Sequence, residues 1–223
     1  LSKVPDPNRF GVAEVVDDRI ISIEEKPDNP KSDLAVTGIY LYDKNIFEAV
    51  NNIKPSPRGE LEISDAHQYL LDKGFDVSYS EITGWWKDTG KPSDLLEANR
   101  LVLDNIKSDL KGSVDENSTV SGRVQIGANS RVINSNIRGP AVIGDNTTIK
   151  ESYVGPYSAI GKGCTISGSE VEYSIIMNGC QINQVQRRIE SSLLGNDVEI
   201  LRSKTRPATH RFMLGDQSRI EIE

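Results

Sequence analysis

The sequence predicts an α/β segment followed by a parallel coil of stacked short strands. Three observations carry this expectation. Ile126, Ile143, Ile160, Met177 and Leu194 recur at an interval of 17 residues, and Gly127, Gly144, Gly161 and Gly195 follow four of them directly. Val120, Ile137, Val154 and Val171 keep the same interval, as do Val132, Ile149 and Ile166, so the steps between ladders are six, six and five residues. No α-helix has that period. A fixed short period means coils that cannot bury their apolar faces alone and must stack. Ahead of the ladders, residues 10–106 alternate between runs of strand formers and stretches of helical period.

Steps near six, each with a branched aliphatic turned inward and a small or polar residue after it, resemble the hexapeptide repeat of left-handed parallel β-helices. Three short strands then make one triangular coil, and inward residues stack ~4.8 Å apart. Ile126, Ile143, Ile160 and Leu194 should form one buried column, with Met177 as its fourth rung. Cys164 and Cys180 stand two residues before Ile166 and Ile182. They should stack on neighbouring coils as free thiols. Arg187-Arg188 falls at the interior phase, which predicts a longer, irregular coil there. Such coils define an architecture and no reaction.

The chain has 223 residues, 26 basic and 33 acidic, with a formal charge of −7. That length supports one or two domains with a core. The acidic balance argues against nonspecific binding to nucleic acid or an anionic membrane. No apolar run approaches the ~18 residues of a transmembrane helix, and no signal peptide is visible. Two cysteines make no disulfide framework, so a reducing, cytoplasmic setting is expected. The chain starts at Leu1 in loop-like sequence and is expected to be a fragment of a longer protein.

Residues 10–16 and 19–25 are apolar runs around Asp17-Asp18, a hairpin signal. Pro27-Asp28-Asn29-Pro30 breaks the second run. Residues 35–42 read as a third strand. Residues 45–52 read as a short helix with Ile46, Phe47 and Val50 on one face. A Pro- and Gly-rich loop covers residues 54–59. Residues 64–73 read as a helix capped by Ser64, with Gly74 past its end. Residues 77–82 read as a fourth strand, and 84–90 as a turn-rich loop. Residues 92–106 read as a helix, with Pro92 in the first turn and Leu95, Asn99, Val102 and Ile106 in one stripe. A linker follows at 107–111, with the coils expected from near Val114. The division predicted is therefore 1–108 and 109–223. The tail alternates at Phe212, Leu214, Ile220 and Ile222 and reads as a closing strand or hairpin.

Four stretches in the first half carry chemistry. In Glu24-Glu25-Lys26-Pro27 a carboxylate can accept bonds from sugar hydroxyls, and the ammonium can hold a phosphate. The same residues also suit a solvated strand end. In Thr37-Gly38-Ile39-Tyr40 the glycine permits close approach of a ligand, while Tyr40 can bind or simply pack. In Arg58-Gly59-Glu60-Leu61-Glu62-Ile63-Ser64-Asp65 the arginine suits bidentate phosphate recognition, although single arginines are mostly surface residues. In Trp85-Trp86-Lys87-Asp88-Thr89-Gly90-Lys91-Pro92 the aspartate suits a hard cation or an Asx-type turn.

These stretches occur in one succession, opened by Phe10-Gly11-Val12-Ala13-Glu14. The succession resembles the second half of the sugar-phosphate nucleotidylyltransferases, closest to glucose-1-phosphate thymidylyltransferases, across residues 1–106. The coils and tail, with Arg187-Arg188-Ile189 and His210-Arg211-Phe212-Met213-Leu214-Gly215-Asp216, look like the long form of that family. The resemblance implies the C-terminal, sugar-phosphate part of a Rossmann-like nucleotidyltransferase domain, joined to a left-handed β-helix. It implies that Gly11, Glu25, Val36 and Tyr40 line a sugar pocket. It gives Lys26, Arg58 and Asp88 catalytic roles: Lys26 and Arg58 on the sugar's phosphate, and Asp88 as one of two aspartates on Mg²⁺. Glucose 1-phosphate and dTTP are the implied substrates, and a homo-oligomer is expected. The family's Gly-rich nucleotide loop, base-recognition residues and first metal-binding aspartate are not in this sequence. The isolated chain is therefore expected to be inactive.

Two other readings compete. One is an acyltransferase on the coils, moving acetyl from acetyl-CoA to a sugar phosphate. That chemistry generally uses a base, often His. The only histidines are His67, which also reads as a half-buried helix residue, and His210 in the tail. The other reading gives the coils a purely structural, subunit-joining role.

Overall fold

A computed structural model of the chain describes residues 1–203, 209–216 and 218–222. They fall into two compact units, Leu1–Trp86 and Lys87–Glu223.

The first unit contains a four-stranded antiparallel sheet. Its strands are β1 (Ser2–Lys3), β2 (Gly11–Val16), β3 (Arg19–Glu25) and β4 (Leu34–Ala35), in the order β1-β4-β2-β3. β2 and β3 form the predicted hairpin. Asp17 and Asp18 both adopt positive φ, 49° and 58°, as a two-residue loop of the favoured hand requires. Helices α1 (Asn45–Asn52) and α2 (Ile63–Asp72) follow. Ala13, Ile20 and Ile23 pack with Val36, Leu71 and Tyr79. Ile46, Ala49, Ala66 and Leu70 make a second cluster between the helices.

Several expectations for this unit need correction. The third strand stops at Ala35. Val36 N still donates to Gly11 O at 2.7 Å, but 39–42 joins no ladder among the described residues, and Leu41 is fully exposed. Residues 77–82 are not a strand either. Phe75, Val77 and Tyr79 alternate with exposed neighbours as a strand would, yet their partner is a single residue. Leu1's ammonium donates to Ser80 O, and Ile82 N donates to Leu1 O. Alternation reports burial, whereas a strand also needs a ladder. The buried face of α1 is Ile46 and Ala49, with Phe47 exposed. Small Ala49 and Ala66 let the two helices approach, which a count of large apolar residues misses. Ser64 does not cap α2. Glu62 is the N-cap residue, and Ser64 is buried inside the first turn.

The second unit begins with α3 (Pro92–Leu103). It ends before Ile106, and its buried stripe is Leu96 and Leu103 rather than Leu95 and Val102, which are exposed. Asn99, on the same stripe, donates from Nδ2 to Tyr157 O on the coils at 2.9 Å. Tyr157 Oη in turn donates to Asp104 Oδ1 at 3.0 Å. That polar anchoring rotates the stripe by one position.

The coils start at Asp109–Leu110, earlier than expected, and end at Glu199–Leu201. Three parallel sheets of five, six and six strands form the faces. One column is Leu110, Ile126, Ile143, Ile160, Ile176 and Leu194. A second is Val120, Ile137, Val154, Val171 and Ile189. The third is Val114, Val132, Ile149, Ile166, Ile182 and Ile200. The central isoleucines are all but fully buried, each worth ~1.5–3 kcal/mol over exposure. Three of the glycines after the first column are needed for close approach, whereas Gly195 has open space. A Cβ on Gly127, Gly144 or Gly161 would sit 2.5–2.7 Å from backbone atoms of the next coil. Side-chain hydroxyls serve the corners: Thr147 N donates to Ser130 Oγ, and Ser152 N to Ser135 Oγ. Buried amides are thus satisfied where the strands end.

Met177 is not a rung. Ile160 pairs with Ile176, and Met177 is 44% exposed. The corner between Val171 and Ile175 is one residue shorter than the corresponding corner after Val154, so the interior phase slips by one. The longer coil around Arg187-Arg188 is present, with two extra residues between Ile182 and Ile189 relative to the coil below. Arg188 turns outward. It pairs with Glu170 at 2.9 Å and Glu172 at 3.0 Å, and lies over the Tyr153 ring. Ile166 and Ile182 do pair, and Cys164 and Cys180 are free and buried. The tail is not a strand or hairpin among the described residues. Phe212, Leu214, Ile220 and Ile222 are exposed there.

Candidate active site

β2 ends its hairpin partnership beside α2, and Gly11 is the contact. A Cβ on Gly11 would lie 2.4 Å from Ser64 Oγ, 3.0 Å from Glu25 Oε2 and 3.5 Å from Val36 Cβ. Only a glycine leaves room for these three side chains to meet. Ser64 Oγ donates to Glu25 Oε2 at 2.7 Å. One carboxylate oxygen is thus fixed from below, and the other is left for cations.

Two cations reach that second oxygen. Lys26 Nζ lies 4.0 Å, and Arg58 Nη1 3.9 Å, from Glu25 Oε1. Lys26 follows β3 directly with φ of 44°, and its amide donates to Phe10 O. A lysine in this left-handed conformation is held by its surroundings. Arg58 sits in a tight loop. Ser56 N donates to Glu60 O and Gly59 N to Ser56 O, each at 2.8 Å. Ser56 Oγ donates to Glu62 Oε1 at 2.9 Å. Arg58 also pairs with Glu60 through Nη2 and lies 3.8 Å from Glu62 Oε1 through Nε. Glu62 is buried, so the loop hangs on a buried carboxylate. Nearby, burial and the Glu62 charge raise the Asp65 carboxyl above its usual range.

Tyr40 belongs to an aromatic block. Its ring stacks on Tyr42 and lies 5.0 Å from the His67 ring. Burial and the Glu25 charge push the Tyr40 phenol up. His67 is buried, not half-buried.

Gly11, Glu25, Lys26, Val36 and Arg58 therefore meet in the first unit, with Tyr40 electrostatically coupled to Glu25. Asp88 lies in the second unit, half-buried beside Gly90. Its neighbour Lys87 pairs with Asp94 at 3.1 Å and Glu97 at 2.7 Å, and these partners raise its pKa. Among the described residues no group of three or more His, Cys, Asp or Glu side chains is set to hold a metal. Asp88 offers one carboxylate. Sequence reasoning missed Ser64, Glu62 and His67. The 64/67 spacing, which puts both on one helix face, was the available signal.

The coils carry a polar cavity of about 530 Å³, lined by Asn134, Asn136, Glu151, Tyr153 and Glu170 among others. Neither histidine lines it. His210 is exposed and stacks on Phe212. No helix among the described residues is long and apolar enough to cross a membrane.

The first unit thus sets two cations around one carboxylate beside a glycine, and the second unit carries the stacked coils. Residues 1–105 match the family described as nucleotidyl transferase. Over its whole length the chain is 50% identical to a glucose-1-phosphate thymidylyltransferase of Streptomyces antibioticus, covering 63% of that protein. It is 48% identical to one from Streptomyces griseus, covering 62%. It is 39% identical to the low-salt glycan biosynthesis nucleotidyltransferase of Haloferax volcanii, covering 63%. The chain thus spans under two thirds of the length of these relatives.

Proposed function

We propose that the whole protein joins glucose 1-phosphate to dTTP, giving dTDP-glucose and pyrophosphate. The observation that carries this reading is the placement of Lys26 and Arg58 on one oxygen of Glu25, beside Gly11. A sugar phosphate carries nearly two charges and needs close cations. Its phosphate would displace Glu25 as their partner, while Glu25 turns to accept a sugar hydroxyl. A phosphate oxygen then attacks the α-phosphorus of dTTP in line, and the bond to the β-phosphate breaks. The attacking oxygen is already anionic, so no base is needed. Orientation and charge neutralisation do the catalysis. Mg²⁺ would supply further neutralisation of the reacting phosphates. Asp88 offers one carboxylate to such a hard cation, which commonly binds through one or two.

The nucleotide-binding motifs of the family are not among these residues, so this chain alone is proposed to be inactive. A cytoplasmic setting belongs to the proposal, since a nucleoside triphosphate is a substrate. So does homo-oligomerisation through the coils, whose first strands leave Leu110 and Val114 exposed as unpaired edges. Light scattering on the coil unit would read that as a mass above one chain. The activity is tested by pyrophosphate release from the whole protein with dTTP or UTP, glucose 1-phosphate and Mg²⁺. Turnover with dTTP is expected, and its loss with chelator. No release with either nucleotide would overturn the proposal.

A further inference from the structure

We infer that His67, paired with Tyr42, is a positioning residue that holds the Tyr40 ring in place and so sets how tightly the site takes its sugar. The inference rests on the functional reading above.

Tyr40 and Tyr42 are two residues apart and present their rings to each other. Their rings stack with centroids 5.8 Å apart. His67 lies against both, 5.0 Å from Tyr40 and 5.7 Å from Tyr42. Tyr42 Oη and His67 Nε2 are 2.6 Å apart, a hydrogen bond. His67 is 6% exposed, and its Nδ1 has no partner. The Tyr42 bond is thus the hydrogen bond that holds the ring.

Ser64 and His67 stand three apart on α2 and therefore share a face. Ser64 bonds Glu25 at 2.7 Å, while His67 bonds Tyr42. One helical turn thus anchors both the carboxylate, through a serine, and the tyrosine pair, through a histidine. Tyr40 is 40% exposed and feels the Glu25 charge. Its ring contacts are with Tyr42 and His67. A sugar hydroxyl spanning Glu25 and Tyr40 needs both at a set separation, and a shift of ~1 Å there is costly.

The test uses the whole protein, with His67→Phe, His67→Gln, Tyr42→Phe and the double variant His67→Phe/Tyr42→Phe. Tyr42→Phe removes only a hydroxyl, and so reports even if His67→Phe folds poorly. The KM for glucose 1-phosphate should rise about tenfold in Tyr42→Phe and His67→Phe, equivalent to ~1.4 kcal/mol. The KM for dTTP should not change. His67→Gln, which keeps a polar group, should recover part of the loss. The double variant should be no worse than the singles, because they break one bond. Equal rises in both KM values, or additive losses, would mean a general packing role and overturn the inference. So would an unchanged sugar KM in a protein that turns over normally. If the unmodified protein shows no turnover, the reading of the site fails, and this inference fails with it.

Discussion

Ser64 Oγ bonds Glu25 Oε2 at 2.7 Å, tying the first turn of α2 to the end of β3. Glu25 Oε1 is then the oxygen that faces Lys26 and Arg58. Ser64→Ala should free the half-buried carboxylate to rotate and remove the donor to one of its oxygens. Losing such a bond costs ~1–3 kcal/mol. The KM for sugar phosphate in the whole protein should rise by the matching factor, about five- to 150-fold. Unchanged kinetics would mean Glu25 is held by other means.

Gly11→Ala tests the same junction sterically. The added Cβ would meet Ser64 Oγ at 2.4 Å. Ser64 is buried and bonded, so it has nowhere easy to go. Overpacking of this kind costs ~1–3 kcal/mol. Urea unfolding followed in the first unit should show the loss.

The coil register predicts a contrast. Ile149 is fully buried, so Ile149→Ala should cost ~2–5 kcal/mol. Met177→Ala should change stability by no more than ~0.5 kcal/mol, because Ile176 holds the rung. Comparable losses at the two positions would mean the phase slip at the 171–175 corner is wrong.

Histidine burial gives a pH dependence. Burial lowers the pKa of His67 below its ordinary 6.5. Between that lowered value and 6.5 the unfolded chain binds a proton that the folded chain does not. Stability therefore rises with pH through this window and is lost as pH falls below 6.5. The Asp65 carboxyl, raised by burial, acts with the opposite sign in more acid solution. The difference in unfolding midpoint between the native sequence and His67→Phe isolates the histidine. Parallel pH profiles would contradict the shift.

The coils were legible because a 17-residue period repeats one physical demand, a buried branched side chain per face. The period broke at Met177, since a corner can lose a residue without changing composition. The hairpin was legible through Asp17-Asp18. The strand expected at residues 35–42 was not realised past Ala35, because apolar alternation says nothing about a partner. In the site, charged residues were visible as candidates, and their meeting at Glu25 was implied by family resemblance alone. Ser64 was hidden because a serine near a helix start reads as a capping residue, and Glu62 because a charged side chain reads as solvated surface. Only the fold shows Ser64 turned inward to Glu25 and Glu62 buried under the Arg58 loop.

The central claim is that Lys26 and Arg58 serve one anion, the phosphate of a sugar 1-phosphate. It is tested most directly by steady-state kinetics of Arg58→Met in the whole protein, with glucose 1-phosphate and dTTP varied separately. Removing one partner of a charge-assisted phosphate contact costs ~2–5 kcal/mol. A fall in kcat/KM for glucose 1-phosphate of at least about thirtyfold, with the KM for dTTP little changed, is the expected result. An unchanged kcat/KM for the sugar phosphate would show that Arg58 is held by Glu25, Glu60 and Glu62 for structure alone, and would contradict the account.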